Sequence, residues 1–107
     1  MRIAILGTGE VGSRLGTKLE VVKALNTISN VVRVNLGLVS GDHDTFVCGN
    51  DPKAKAKVVE VLRTFGWKSL IDVGDMTAAR GLEMMLPIWV NLFGTFQTPN
   101  FNFKIAR

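Results

Sequence analysis

The first stretch of the chain, Met1 to Leu19, constrains its fold more than any other. The short apolar run Ile3 to Leu6 passes directly into Gly7-Thr8-Gly9-Glu10-Val11-Gly12, and a segment with helix-compatible spacing follows. Such a strand, glycine turn and helix makes specific demands: Gly7 permits the tight turn, Gly9 lets the backbone approach a pyrophosphate, and Gly12 lets helix and strand pack closely. The helix N-terminus then faces the anion. The sequence therefore predicts an α/β half-site for a dinucleotide, with Gly7, Thr8, Gly9, Glu10, Val11 and Gly12 around the phosphates. A plain strand-to-helix turn is the alternative.

A chain of 107 residues is one domain, and it is small for a dinucleotide enzyme, which normally needs two βαβαβ halves. Hydrophobic content of 47% against 21% charged residues excludes disorder as the default. The net charge of +4 is spread rather than blocked, with no aromatic platform beside it, so no nucleic-acid surface is expected. The single Cys48 reads as a buried small hydrophobe, and an intracellular, cytoplasmic setting is expected. Ile3 to Leu6 is too short for a signal peptide, and Met84 to Phe96 is too short and too interrupted for a membrane span, so no membrane partner is expected.

From Glu10 the apolar positions Val11, Leu15, Leu19 and Val22 keep a helical period, and nothing local stops that helix before about Ile28. Val31 to Leu36 then reads as a second strand. Arg33 on it falls about twenty residues after Gly12, near where such folds select the ribose substituent, and would favour a 2′-phosphate; an outward-facing strand residue is the alternative. His43, between two aspartates, reads as part of a solvated turn rather than a metal or acid–base site. Thr45 to Cys48 is a strand, and Asp51-Pro52 starts a helix that runs to Phe65, turning Val58, Val61, Leu62 and Phe65 inward and Lys53, Lys55 and Lys57 to solvent. Ser69 to Val73 is another strand. A last long helix starts near Met76, bent at Pro87, with an apolar surface too broad for one small domain to cover. Phe101, Phe103 and Ile105 alternate with polar residues in a strand-like tail.

Two blocks together resemble the NADP-binding oxidoreductases related to deazaflavin-dependent NADP reductase. One is the opening MRIAILGTGEVGSRLGTKL; the other is VVKALNTIS followed by TFVCGNDPKAKAKVVEVLRTFGW and IDVGDMTAARGLE. Against that family, a long segment holding the second, third and fourth strands is missing between Leu19 or Glu20 and Val21. The resemblance implies a truncated Rossmann-like, three-layer α/β fold with a small, mainly parallel sheet, in one domain over residues 1–107. It makes Val21 to Asn26 a strand, in conflict with the local helical spacing, and implies nicotinamide or hydride-acceptor contacts at Asn26, Thr27 and Ile28. The residues that usually read the ribose phosphate belong to the missing part, so tight NADP binding by one isolated chain is not expected.

The uncovered sheet edges and helix faces of such a truncation predict a homodimer, with exchanged elements as one route to it. The expected function is an NADP(H)-binding, oxidoreductase-like protein, with NADP favoured over NAD and a deazaflavin or flavin as acceptor. Its chemistry is hydride transfer, which needs no catalytic acid or base from the chain. The polar residues Asp72, Asp75, Arg80 and Glu83 are explained equally well by capping and surface pairing. The alternative function is a non-catalytic remnant or dimerisation module of the same fold.

Overall fold

The computed structural model describes residues 3–6 and 20–107; the glycine turn Gly7 to Gly12 and the segment up to Leu19 lie outside the described residues. Strand β1 (Ile3–Leu6) pairs in parallel with β2 (Glu20–Ala24), with Ile3 opposite Glu20 and Leu6 opposite Lys23. Helical spacing alone would have carried a helix through this region, yet Val21 to Ala24 are extended, as the family resemblance requires. The reason is tertiary. β2 is paired on both edges, and its β-branched valines suit a buried strand, so sheet hydrogen bonds replace the helical ones.

On its other edge β2 meets β3 (Asp44–Gly49) in antiparallel register, Ala24 opposite Val47 and Val22 opposite Gly49. β3 in turn pairs in parallel with β4 (Ser69–Asp72), giving the order β1-β2-β3-β4. The expected mainly parallel sheet is thus two parallel pairs joined by one antiparallel junction.

One face of the sheet carries the main core. Val22, Ala24 and Val47 pack with Ala54, Val58 and Leu62 of helix α2 (Pro52–Thr64). These helix residues recur every four positions, which places them on one stripe. The Asp51 carboxylate accepts from the Lys53 N–H at 3.1 Å, and Pro52 occupies the first helical position, as expected. The helix stops where Gly66 adopts φ +102°. Phe65, expected to face inward, is 70% exposed, because the chain turns at Gly66 and brings Trp67 back over the helix end, where its N–H donates to the Leu62 carbonyl at 3.2 Å. Trp67 fills the core position instead.

On the opposite face Phe46 and Cys48 pack with Leu82, Met76 and Met85. Lys23, opposite Cys48 in register, is buried here with its Nζ 3.4 Å from Glu83. Burial raises the Cys48 thiol, against the nearby Lys23 charge. Of the three lysines expected in solvent, Lys55 instead reaches Asp72 at 3.0 Å and the Gly74 carbonyl at 3.1 Å.

Four further sequence expectations fail locally. Val31 to Leu36 is not a strand: helix α1 (Asn30–Val34) is followed by a 3-10 turn (Leu36–Leu38). Ser29 caps α1, its hydroxyl accepting from the Val32 N–H at 3.3 Å, while Val32 enters the core and both edges of β2 are already occupied. The last helix is divided into a 3-10 turn (Met76–Ala78), α3 (Ala79–Glu83) and α4 (Leu86–Phe96), with Pro87 in the first turn of α4, where its missing N–H costs no hydrogen bond. The tail forms no strand, but it docks on the start of β3. The Asp44 N–H donates to the Phe103 carbonyl at 2.9 Å, and the Ile105 N–H donates to the Asp44 carboxylate at 2.6 Å. The same docking buries His43, which was expected in a solvated turn.

Burial by itself raises the Asp44 carboxyl, but hydrogen bonds from Ile105 and the Ser69 hydroxyl, with the charges of Lys104 and Arg107, outweigh it and leave the group below its usual value. A carboxyl depressed in the folded state contributes stability above its unfolded pKa, near 4, and loses it as pH falls through the lowered folded value. Hydrogen exchange at Ile105 should therefore accelerate as pH falls below about 4 after correction for intrinsic rates, and Asp44→Asn should abolish that acid dependence. An unchanged profile in the variant would count against the docking role of Asp44. Ser29→Ala should lower stability by about 1 kcal/mol in denaturant titration through loss of the α1 cap; no change would mean that α1 is held by Val32 alone.

Candidate functional site

β1 and β2 are parallel, so their carboxyl ends, Leu6 and Ala24, lie at one edge of the sheet. β3 is antiparallel to β2 and begins at the same edge with Asp44. Open α/β sheets hold ligands outside the carboxyl ends of their parallel strands.

At this edge the chain turns sharply. Leu25 takes φ +64°, a left-handed conformation that costs a non-glycine residue roughly 1–2 kcal/mol, and the Ile28 N–H closes the turn on the Leu25 carbonyl at 3.4 Å. Packing of the Leu25 side chain on the core offsets this strain. Beyond it the Asn26 amide is fixed in orientation, because its Nδ2 donates to the Leu82 carbonyl at 2.7 Å. Its Oδ1 is buried and has no hydrogen-bond partner.

Asn26 and Ile28 open onto a cavity of about 370 Å³, shared with Arg33 of α1, Leu86 and Trp89 of α4, and Pro99 of the tail. Two further polar atoms of these residues are buried without partners, the Arg33 Nε and the Trp89 Nε1. Trp89 is held in place by stacking on Phe93 at 5.7 Å and by Phe101 at 5.1 Å, centroid to centroid. Desolvation pulls the Arg33 guanidinium below its ordinary pKa, although an arginine keeps its charge at any physiological pH. Each unsatisfied buried group costs about 1–3 kcal/mol, a penalty that a ligand of complementary pattern removes. The pattern here is one acceptor, Asn26 Oδ1, and two donors, Arg33 Nε–H and Trp89 Nε1–H, beside the apolar side chains of Ile28, Leu86 and Pro99. A planar ring carrying a primary carboxamide, with one N–H₂ donor group and one carbonyl acceptor, has the chemistry to match it.

Of the residues singled out from sequence, Asn26, Ile28 and Arg33 come together here. Thr27 lies beside them, but its side chain is buried and does not line the cavity, and its Oγ1 has no partner. Arg33 does not stand on a strand beside a ribose, as its spacing predicted, because its segment is helical. Gly7, Thr8, Gly9, Glu10, Val11 and Gly12 lie outside the described residues. Trp89 was missed: within an apolar helical pattern it read only as surface hydrophobicity, although its indole N–H is a donor that needs an acceptor when buried.

A second cavity, about 360 Å³, lies between Leu36, His43, Trp67, Lys68 and Ser69. Its histidine is already engaged. The Asn102 amide donates to the Asp44 carbonyl at 2.9 Å, so the same nitrogen, 2.6 Å from His43 Nδ1, makes that ring atom an acceptor and leaves Nε2–H for the Leu36 carbonyl at 3.4 Å. The residues Asp72, Asp75, Arg80 and Glu83 do not converge: Asp72 pairs with Lys55, Asp75 accepts from the Thr77 N–H at 2.9 Å, and Glu83 pairs with Lys23. Among the described residues no group of three His, Cys, Asp or Glu side chains is placed to hold a metal ion, and no helix is long and apolar enough to cross a membrane.

No family model matches the chain. It is 25% identical over 101 residues to the F420-dependent NADP reductase of Methanocaldococcus jannaschii, covering 92% of this chain and 45% of that protein. It is 34% identical over 92 residues to the metalloreductase STEAP3 of Rattus norvegicus, covering 76% of this chain and 18% of that protein. The crystal structure of a putative F420-dependent NADP reductase from Arthrobacter sp. FB24 superposes with a TM-score of 0.81 and 50% sequence identity, over 84% of this chain and 41% of the other. The chain therefore spans less than half the length of each of these relatives. With its Rossmann-like α/β fold, the chain is related to these NADP reductases over the part of them that it spans.

Proposed function

We propose that this chain is an NADP(H)-binding oxidoreductase module in which the cavity beyond β2 receives the nicotinamide end of the cofactor. The observation that carries this reading is that three residues lining one cavity, Asn26, Arg33 and Trp89, each hold a buried polar atom without a partner, at the edge of the sheet where β1 also ends. The names of the relatives give the same cofactor class. In this reading Gly7 to Gly12 hold the pyrophosphate through backbone N–H groups, and Asn26 accepts from the carboxamide N–H₂ while Trp89 donates to its carbonyl. Ile28, Leu86 and Pro99 exclude water from one side of the ring. The bound dinucleotide supplies a hydride to a deazaflavin or flavin acceptor, which also takes up a proton from solvent. The chain contributes binding and orientation.

Titration of the intact protein with NADPH should show saturable quenching of tryptophan fluorescence. Gly9→Val should abolish it, and Asn26→Ala should weaken it roughly tenfold, the worth of one buried hydrogen bond. Absence of binding at millimolar NADPH would overturn the reading in favour of a non-catalytic remnant. Binding without turnover of any flavin or deazaflavin would leave a cofactor-binding module and remove the oxidoreductase.

The module pairs with a second copy of itself through α4. Leu86, Val90 and Phe96 are half exposed, Met84 is 71% exposed, and no charged residue occurs between Glu83 and Lys104. An uncharged apolar face of this kind is covered when two copies pack it face to face about a two-fold axis. Light scattering at micromolar concentration should give a dimer that Val90→Glu dissociates; a stable monomer would contradict this.

A further inference from the structure

Arg33 introduces an asymmetry that hydrogen bonding alone does not explain. Its guanidinium is half buried on the wall of the cavity, and the other lining residues, Asn26, Ile28, Ser29, Leu86, Trp89 and their neighbours, include no carboxylate. The ion pairs of the described residues fall on Lys23, Lys55 and Lys57, none of them on Arg33. Burial disfavours its charge. Among the described residues, the cavity is thus a partly desolvated space whose one formal charge is positive and has no carboxylate beside it.

The two redox forms of a nicotinamide differ in the charge that meets this wall. The oxidised ring is a pyridinium cation; the reduced dihydropyridine ring is neutral, with the same carboxamide and nearly the same shape. Shape and hydrogen bonding therefore cannot separate the two forms, whereas a fixed cation can. Resting on the cofactor reading above, we infer that Arg33 makes this cavity discriminate by redox state, accepting the neutral reduced nicotinamide and disfavouring the oxidised cation. For two like charges inside a cavity of this size, at an effective dielectric of about 20, the penalty corresponds to roughly a ten- to hundredfold difference in affinity. Such a site holds NADPH more tightly than NADP⁺, so the oxidised form leaves it more readily.

The competing role for Arg33 is a clamp on a cofactor phosphate. That role predicts something different, since both redox forms carry the same phosphates and would lose affinity equally on its removal. α1 cannot supply a separate anion site of its own, being only a turn and a half long with its cap already used by the Ser29 hydroxyl.

The test needs no turnover. Dissociation constants for NADPH and NADP⁺ are measured by calorimetry on the intact protein and on three variants, each checked by circular dichroism for folding. The parent should bind NADPH at least tenfold more tightly than NADP⁺. Arg33→Gln should bring the ratio close to one, chiefly by tightening NADP⁺, while Arg33→Lys should keep the preference. Asn30→Asp, an exposed position on the cavity rim three residues before Arg33 on α1, places a carboxylate where it can offset the guanidinium charge while Arg33 is retained, and should narrow the ratio even if the Gln variant does not fold. A parent ratio near one, a ratio unmoved by Arg33→Gln or Asn30→Asp, or equal weakening of both forms would overturn the inference while leaving the cofactor reading intact. Failure of the parent to bind either form would instead overturn the cofactor reading, and the inference with it.

Discussion

Both edges of β2 are hydrogen-bonded, to β1 on one side and β3 on the other, and both of its faces are covered. Val22 and Ala24 face α2, while Lys23 lies beneath α3 with Glu83. The rest of the architecture depends on this strand. Its parallel pairing with β1 brings two strand ends to one edge, and its antiparallel pairing with β3 carries Asp44 and the tail to the same place. Because β2 stops at Ala24 and the chain reverses through a left-handed Leu25, Asn26 emerges beside α3 rather than continuing along the sheet.

The features that residue chemistry dictates locally could be read before the fold was known. Asp51-Pro52 begins a helix because the carboxylate caps free N–H groups and proline has its φ set for the first turn. Thr45 to Cys48 is a buried strand because β-branched and aromatic residues suit the interior of a sheet. What could not be read locally depended on partners distant in sequence. Val21 to Asn26 has a plausible helical period, and only neighbouring strands make Val21 to Ala24 extended, with Leu25 and Asn26 already in the turn beyond; the family resemblance supplied the strand where spacing could not. Val31 to Leu36 failed in the other direction: its β-branched residues suggest a strand, but both edges of β2 are taken and Ser29 starts a helix. His43 and Phe65 exchanged roles with expectation because the tail and Trp67 fold over positions whose sequence surroundings look exposed.

The candidate site was legible in the same uneven way. Asn26 and Ile28 were reachable through the resemblance, and Arg33 through its distance from the glycine turn, although it joins them for a different reason. Trp89 was hidden in an apolar helix whose pattern says nothing about where one N–H points. The site is built from four places, the end of β2, α1, α4 and the tail, and only the first has a motif. Its polar atoms share one property, that of being buried without partners, and that property exists only after folding.

The central claim is that the cofactor's nicotinamide end enters the cavity beyond β2. The chain offers a direct way to observe this, because its two tryptophans divide between the two cavities, Trp89 in one and Trp67 in the other. In a ¹⁵N-labelled sample each indole N–H gives its own resonance. Addition of NADPH should shift the Trp89 indole signal together with the Arg33 Nε–H and leave Trp67 in place. A shift confined to Trp67, or no shift of either indole at saturating NADPH, would contradict the account.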